Sequence, residues 1–260
     1  MSYVVAIPAR YASTRLPGKP LLDTGGMPMI RRVCLQALKS GASRVIACID
    51  DERVGAALEG SGAEVCLTSP QCSCGTDRIA EMIRTLKLKP DTVVVNVQGD
   101  EPLINPEHIA QVAKILKATQ SEAAMTTLCT PILSVQELFD PNCVKVVCDK
   151  RGFALYFSRA PIPYERDNFK NFDPHSGTAP ALLFHHYRHI GIYAYKAGKV
   201  LDYSALPRQE LECAESLEQL RMLNEGWRIC VGITKEPPAA GVDTQEDLDK
   251  VNAILKAQPQ

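Results

Sequence analysis

Three cations fall within ten residues of the run Pro8-Ala9-Arg10-Tyr11-Ala12-Ser13-Thr14-Arg15-Leu16-Pro17-Gly18-Lys19-Pro20. Arg10, Arg15 and Lys19 can supply charge-assisted hydrogen bonds to phosphate, and Gly18 lets the backbone come close to such a ligand. The run lacks the G-x-x-x-x-G-K-[ST] spacing of a Walker A loop, and the chain has no G-x-G-x-x-G dinucleotide fingerprint. A solvated basic loop has the same composition. Position separates the two readings: the run follows the first strand-like segment, and ligands of α/β sheets bind at the carboxyl ends of strands.

A carboxylate is expected near that loop. Asn96-Val97-Gln98-Gly99-Asp100-Glu101-Pro102 ends a long apolar run, and Gly99 permits a sharp departure of the backbone. Two readings stay open for Asp100: a ligand for Mg²⁺ beside a triphosphate, or a turn cap. Asp243, in Gly241-Val242-Asp243-Thr244-Gln245-Glu246-Asp247, has two as well. It or Thr244 caps the last helix, or it reaches the Asp100 crevice if the preceding strand pairs back onto the main sheet. Cys74-Gly75-Thr76-Asp77-Arg78 opens a helix, where backbone N–H groups and the Thr76 hydroxyl suit a nucleotide, although Thr76 also serves as a plain helix cap. Arg, His and Tyr come together in Ser158-Arg159-Ala160-Pro161-Ile162-Pro163 and Arg188-His189-Ile190-Gly191-Ile192-Tyr193. Glu212, Glu215 and Gln219 fall on one face of a helix expected over about 209–223, a face that fits a polyhydroxylated sugar or plain solvent. His185, His186 and His189 lack metal-ligand spacing.

Alternating strand and helix signals must position these groups. Tyr3–Ile7, Arg44–Ile49, Glu64–Leu67 and Thr92–Val97 read as strands. Between and after them stand helices bearing Ile30/Val33/Ala37/Leu38, Ile79/Met82/Ile83/Leu86 and Ile109/Val112/Leu116, with a shorter one over 52–59. The rhythm predicts an α/β fold with a mostly parallel central sheet flanked by helices. It breaks after about residue 150, and residues 160–185, rich in Pro, Asn, Asp and His, read as a mobile loop between strands Phe153–Ser158 and His189–Tyr195. A strand Arg228–Ile233 and a helix bearing Leu248, Val251 and Leu255 then return to the sheet. The expected division is a core of 1–150 and 226–260 with an inserted lobe of 151–225.

The bulk properties exclude several classes. A formal net charge of -1 leaves no nucleic-acid-binding surface and no polybasic membrane anchor. No apolar run reaches the roughly 18 residues of a membrane span, and the N-terminus lacks a signal-peptide pattern, so a cytoplasmic enzyme is expected. Ten cysteines without C-x-x-C pairs read as small core residues in a reducing compartment.

Taken in order, these runs resemble the Kdo (3-deoxy-D-manno-octulosonate) cytidylyltransferases over nearly the whole chain. Ser216-Leu217-Glu218-Gln219-Leu220-Arg221 and Ala240-Gly241-Val242-Asp243-Thr244 complete the set. The resemblance implies a glycosyltransferase-A-like nucleotidyltransferase fold with an inserted sugar-binding and dimerisation lobe, usually a homodimer. It implies transfer of CMP from CTP to Kdo, with release of pyrophosphate, for lipopolysaccharide assembly. It places Pro8, Ala9, Arg10, Arg15, Lys19, Cys74, Gly75, Thr76, Arg78 and Gln98 around the nucleotide, with Lys19, Arg15 and Asp100 as the catalytic groups. Asp100 and Asp243 would hold Mg²⁺, and Arg159, His189, Tyr193, Glu218 and Gln219 would meet the sugar acid. The chain departs from the family at Cys74, where a serine is usual. A cytidylyltransferase for a sialic acid or an amino-substituted Kdo would differ in residues 159–219. A catalytically inert sensor of the same fold would lack Lys19 or Asp100, and both are present.

Overall fold

The computed structural model describes residues 2–13, 15–174, 179–239 and 241–257; Thr14 of the basic loop, residues 175–178 of the aperiodic stretch and Ala240 lie outside them. From the N-terminus run β1 (Val4–Ala9), α1 (Met29–Leu38), β2 (Arg44–Ile49), α2 (Glu52–Ala56), β3 (Glu64–Leu67), α3 (Gly75–Thr85), β4 (Val93–Asn96) and α4 (Pro106–Thr119). There follow β5 (Met125–Pro131), α5 (Val135–Phe139), β6 (Lys145–Cys148), β7 (Ala154–Ser158) and β8 (Tyr187–Lys196). The chain closes with α6 (Ala197–Ser204), α7 (Glu210–Glu215), α8 (Gln219–Asn224), β9 (Ile229–Ile233) and α9 (Gln245–Ala257). These elements divide between two compact units, Met1–Lys117 with Ile192–Ala205 and Pro238–Gln260, and Ala118–Gly191 with Leu206–Pro237.

The first unit is built on four parallel strands in the order β3-β2-β1-β4, with the C-terminal half of β8 antiparallel on β4. β1, β2 and β4 are apolar and buried almost throughout, the pattern of parallel strands covered on both faces. In α1 the buried residues Ile30, Val33, Cys34 and Ala37 recur at helical spacing, as do Ile79, Met82 and Ile83 in α3. The chain passes from β1 to β2 on one side, whereas β4 lies on the other. The carboxyl ends of β1 and β4 therefore form a topological switch point, where doubly wound sheets bind ligands. A separate cluster of Leu16, Met29, Val242, Leu248 and Val251 seats α9 against the loop after β1.

In the second unit β5 pairs in parallel with β9, from Met125↔Ile229 to Cys129↔Ile233, and β6 pairs antiparallel with β7. Ile132, Val135, Leu138, Cys143 and Phe169 make its cluster of buried side chains.

Several expectations change. The boundaries expected near residues 150 and 226 differ from those observed, because β5 and β6 belong to the second unit while 192–205 belongs to the first. The strand expected near 229 does return to the sheet, as β9 beside β5. The single helix expected over 209–223 is two, since Ser216 adopts the left-handed conformation with φ 52° between α7 and α8. Its supposed polar face is largely interior: Glu212 is buried in a bidentate pair with Arg221 at 2.6 and 2.7 Å, and Gln219 is buried too. The stretch expected as a mobile loop has a packed interior. Buried Glu165 accepts hydrogen bonds from Leu183 N, Phe184 N and Asn168 Nδ2 and lies 2.8 Å from His186 Nε2, while Phe169 fills the apolar cluster.

Candidate active site

Two glycines set the site. Gly18 has φ +66° and directs the chain into the turn that begins at Lys19. At Gly99 a side-chain carbon would lie 2.7 Å from the carbonyl oxygen of Pro8, so only glycine lets the ends of β1 and β4 come this close. The result is a cavity of about 480 Å³ lined by Pro8, Ala9, Arg10, Ala12, Ser13, Arg15, Lys19, Pro20, Gln98, Gly99, Asp100 and Asp243.

Within it Lys19 Nζ lies 2.6 Å from Asp100 Oδ2 and 2.9 Å from Asp243 Oδ1, and Arg15 Nη2 lies 3.3 Å from the same Asp243 oxygen. Burial acts to lower the Lys19 pKa, but the two carboxylates outweigh it and hold the ammonium above its ordinary value. The capping role considered for each acid falls elsewhere in the structure. The Asp100 carboxylate bonds to Lys19 and not to a turn N–H. The helix cap is Thr244, whose Oγ1 accepts from Asp247 N at 3.3 Å while Asp247 Oδ2 accepts from Thr244 N at 2.9 Å. Asp243 is thereby left facing the cavity, brought there by a hydrogen bond from Val242 N to Asp100 O of 2.9 Å.

Two carboxylates that converge on one ammonium are also a donor set for a hard divalent ion. The ammonium is a stand-in cation, and Mg²⁺ commonly takes one or two carboxylates, with phosphate oxygens and water completing its shell. Asp100 and Asp243 fit that requirement. Among the described residues no group of three or more His, Cys, Asp or Glu side chains forms a metal cage.

A smaller cavity of about 180 Å³ adjoins through shared Pro8, Arg10 and Gln98 and is lined further by Cys72, Ser73, Cys74, Gly75 and Arg78. Cys74, not Thr76, is the N-cap of α3, and Thr76 is buried in the first turn. Arg78 is also buried; it bonds to Thr68 Oγ1 at 2.5 Å and pairs with Asp50 at 3.1 Å. Asp50 in turn accepts from Tyr11 N at 2.8 Å, which ties the basic loop to α3. Sequence reasoning missed Asp50, although its signal was available: an acid directly after an apolar strand, beside the expected ligand edge.

The candidate sugar residues are divided between the units. Tyr193 belongs to the first, on β8 opposite Asn96 of β4. Arg159, His189, Glu218 and Gln219 belong to the second. There Arg159 Nε donates to Glu215 O at 2.7 Å and Nη1 to Pro141 O at 2.9 Å, while Glu215 accepts from Arg159 N and Ser158 Oγ. Lys145, fully buried and unremarked in the sequence, donates to Asp140 O and Arg159 O at 2.8 and 2.6 Å, and its burial lowers its pKa. His189 lies against Phe157 with its Nε2 2.9 Å from Thr127 Oγ1, and burial pushes its pKa down to about 3. It is therefore a neutral imidazole at physiological pH. Glu218 stands at the N-cap of α8, with Gln219 buried in the first turn.

Cytidylyltransferase is the family whose pattern matches residues 4–229. The 3-deoxy-manno-octulosonate cytidylyltransferase of Aeromonas salmonicida is 54% identical, covering 98% of this chain and 99% of its own. That of Vibrio campbellii is 53% identical over 100% of both chains. Among solved structures, CMP:2-keto-3-deoxy-manno-octonic acid synthetase complexed with CTP matches with a TM-score of 0.86 and 39% identity over 98% of each chain. A cytidylyltransferase from Leptospira borgpetersenii, at 14% identity and a TM-score of 0.61, shares the fold. The chain belongs to the 3-deoxy-manno-octulosonate cytidylyltransferase family of cytidylyltransferases.

Proposed function

We infer that this chain transfers CMP from CTP to the anomeric hydroxyl of Kdo, giving CMP-Kdo and pyrophosphate. The observation that carries the reading is the meeting of Arg10, Arg15 and Lys19 with Asp100 and Asp243 in one cavity at the switch point, in a chain 54% identical to an enzyme of that name. The sugar hydroxyl attacks the α-phosphorus in line and the bond to the β-phosphate oxygen breaks. Such transfers depend mainly on positioning and on stabilisation of developing charge. Arg15 and Lys19 bind the departing pyrophosphate, and Arg10, shared by both cavities, holds the phosphates on the nucleotide side. Gln98 and the opening of α3 at Cys74–Arg78 receive the nucleoside. Asp100 and Asp243 would hold Mg²⁺, and a divalent ion there would supply Lewis-acid stabilisation of the phosphate charge and a lower pKa for the sugar hydroxyl.

In the second unit Arg159, Glu218 and Gln219 contact the acid sugar, with Arg159 directed at its carboxylate; buried His189 acts as a neutral hydrogen-bonding partner in their support. The enzyme works as a homodimer in the cytoplasm and supplies lipopolysaccharide assembly. No helix among the described residues is long and apolar enough to cross a membrane. Incubating the purified chain with CTP, Mg²⁺ and a panel of Kdo, an amino-substituted Kdo and a sialic acid tests the reading. Pyrophosphate release and CMP-Kdo by mass spectrometry are expected. Turnover of the sialic acid in preference to Kdo overturns the substrate.

A further inference from the structure

We propose that the Asp100–Asp243 pair takes its divalent cation as a metal–nucleoside triphosphate complex and not as the free ion, because Lys19 occupies the pair until a triphosphate draws it away. The inference rests on the nucleotide site proposed above and concerns the order in which that site fills. Lys19 Nζ is within 2.9 Å of one oxygen of each acid, and its side chain is only 13% exposed. A single internal ammonium thus already bridges both carboxylates, as a bound cation would, and offsets one of their two negative charges. Arg15 adds a second cation 3.3 Å from Asp243. Among the residues that line the cavity, the three cations Arg10, Arg15 and Lys19 face the two carboxylates Asp100 and Asp243, which leaves one positive charge in excess.

A free divalent ion entering this crevice meets a repulsive field. It must also break two short ion pairs and strand the partly buried ammonium beside itself. Mg²⁺ sheds its water reluctantly, and two carboxylates alone compensate it poorly. A triphosphate reverses every one of these terms. It brings negative charge to the excess of cations, offers Lys19 and Arg15 new acceptors, and adds its own oxygens to the donor set of the metal. Lys19 can change partners without moving the main chain, because its four-carbon stem is flexible and follows the fixed turn at Gly18.

The consequence is opposite in sign to ordinary loss of function: removing the positive charge at position 19 strengthens metal binding in the nucleotide-free protein while it lowers turnover. The test uses Mn²⁺ alone as probe, with free Mn²⁺ read by electron paramagnetic resonance. It compares the wild-type chain, Lys19→Met, Lys19→Gln and Lys19→Met combined with Asp243→Asn, all without nucleotide. Lys19→Met is expected to bind Mn²⁺ at least about tenfold more tightly than wild type, with the added Asp243→Asn change cancelling the gain. Lys19→Gln, which keeps most of the stem and a polar end, is expected to move in the same direction and supplies the answer if the methionine variant does not fold. Equal Mn²⁺ affinity in wild type and the folded Lys19 variants, or a gain that survives Asp243→Asn, overturns the proposal. CMP-Kdo formation by wild type is read separately. Product without any Lys19 gain sinks only the filling order, and a gain in a protein that makes no CMP-Kdo supports the filling order and sinks the sugar assignment.

Discussion

Two sets of charges, one in each unit, are used in opposite ways. In the first, Arg15, Lys19, Asp100 and Asp243 meet at a solvent-open cavity, where the Asp243 side chain is 53% exposed and the Arg15 side chain 66%. In the second, Lys145 is wholly enclosed and donates to two main-chain carbonyls, and Glu212 is buried against Arg221. The first set can exchange partners when a ligand arrives, whereas the second holds backbone in place. Charged side chains of one composition thus serve chemistry at the open cavity and architecture around Lys145 and Glu212, and burial with fixed partners tells them apart.

The strongest way to break this contrast is at the open cavity. Lys19→Met and Asp100→Asn are each expected to lower kcat by about two orders of magnitude or more, the usual scale for one preorganised charge, with melting temperatures close to wild type; pyrophosphate release and calorimetry check both. Asp243→Asn is expected to follow the same pattern, because Thr244 supplies the helix cap. Near-normal turnover of that variant at saturating Mg²⁺ would place Asp243 outside the metal site.

Arg159→Ala probes the other side. It is expected to weaken Kdo use by about 10- to 150-fold, the equivalent of roughly 1.5–3 kcal/mol for a charge-assisted contact. CTP affinity, measured by titration calorimetry without sugar, is expected to stay within about twofold. Loss of CTP binding with Kdo affinity intact would reverse the assignment of Arg159.

Smaller effects sharpen the architectural half. The buried His189 titrates near 3, far below an unfolded histidine at about 6.5. Between those values the unfolded chain binds a proton that the folded chain refuses, so stability falls as pH drops below about 6.5. Relative to His189→Gln, wild type is expected to lose up to about 1.4 kcal/mol per pH unit between pH 6 and pH 4.5, read by urea denaturation. Parallel pH profiles of the two proteins would mean that His189 becomes charged in the folded state. Smallest of all, Thr244→Ala is expected to cost about 1 kcal/mol of stability through loss of the cap, with activity falling less than in Asp243→Asn. Thermal unfolding and pyrophosphate release separate these two neighbouring positions.

Much of this was legible beforehand. The apolar runs of β1, β2 and β4 and the helical spacing of α1 and α3 follow directly from the sequence, and they place the basic loop and Asp100 at strand ends. What escaped notice was polar sequence that the fold buries. β5 reads Met-Thr-Thr-Leu-Cys-Thr-Pro, where three hydroxyls interrupt the apolar signal, yet all three threonines are buried and Thr127 Oγ1 donates to Ile190 O. The break at Ser216 carries no glycine or proline to announce it. Glu212 finds its partner at Arg221, nine positions away and across that break. Within the site, the approach of Asp243 to Lys19 depends on a main-chain bond from Val242, which no local pattern encodes.

The pairing of Lys19 with Asp243 spans 224 positions, and this gives the protein a timetable during its synthesis. The basic loop, β1 and β4 emerge from the ribosome early, at which stage Lys19 has Asp100 as its one available carboxylate of the pair. The second arrives only with residues 241–247, after every strand has been made and as α9 begins to form on Leu16 and Met29. Closing so long a separation is also among the slower steps available to a folding chain. The complete charge set is therefore assembled last, so a nascent or prematurely ended chain presents an incomplete site.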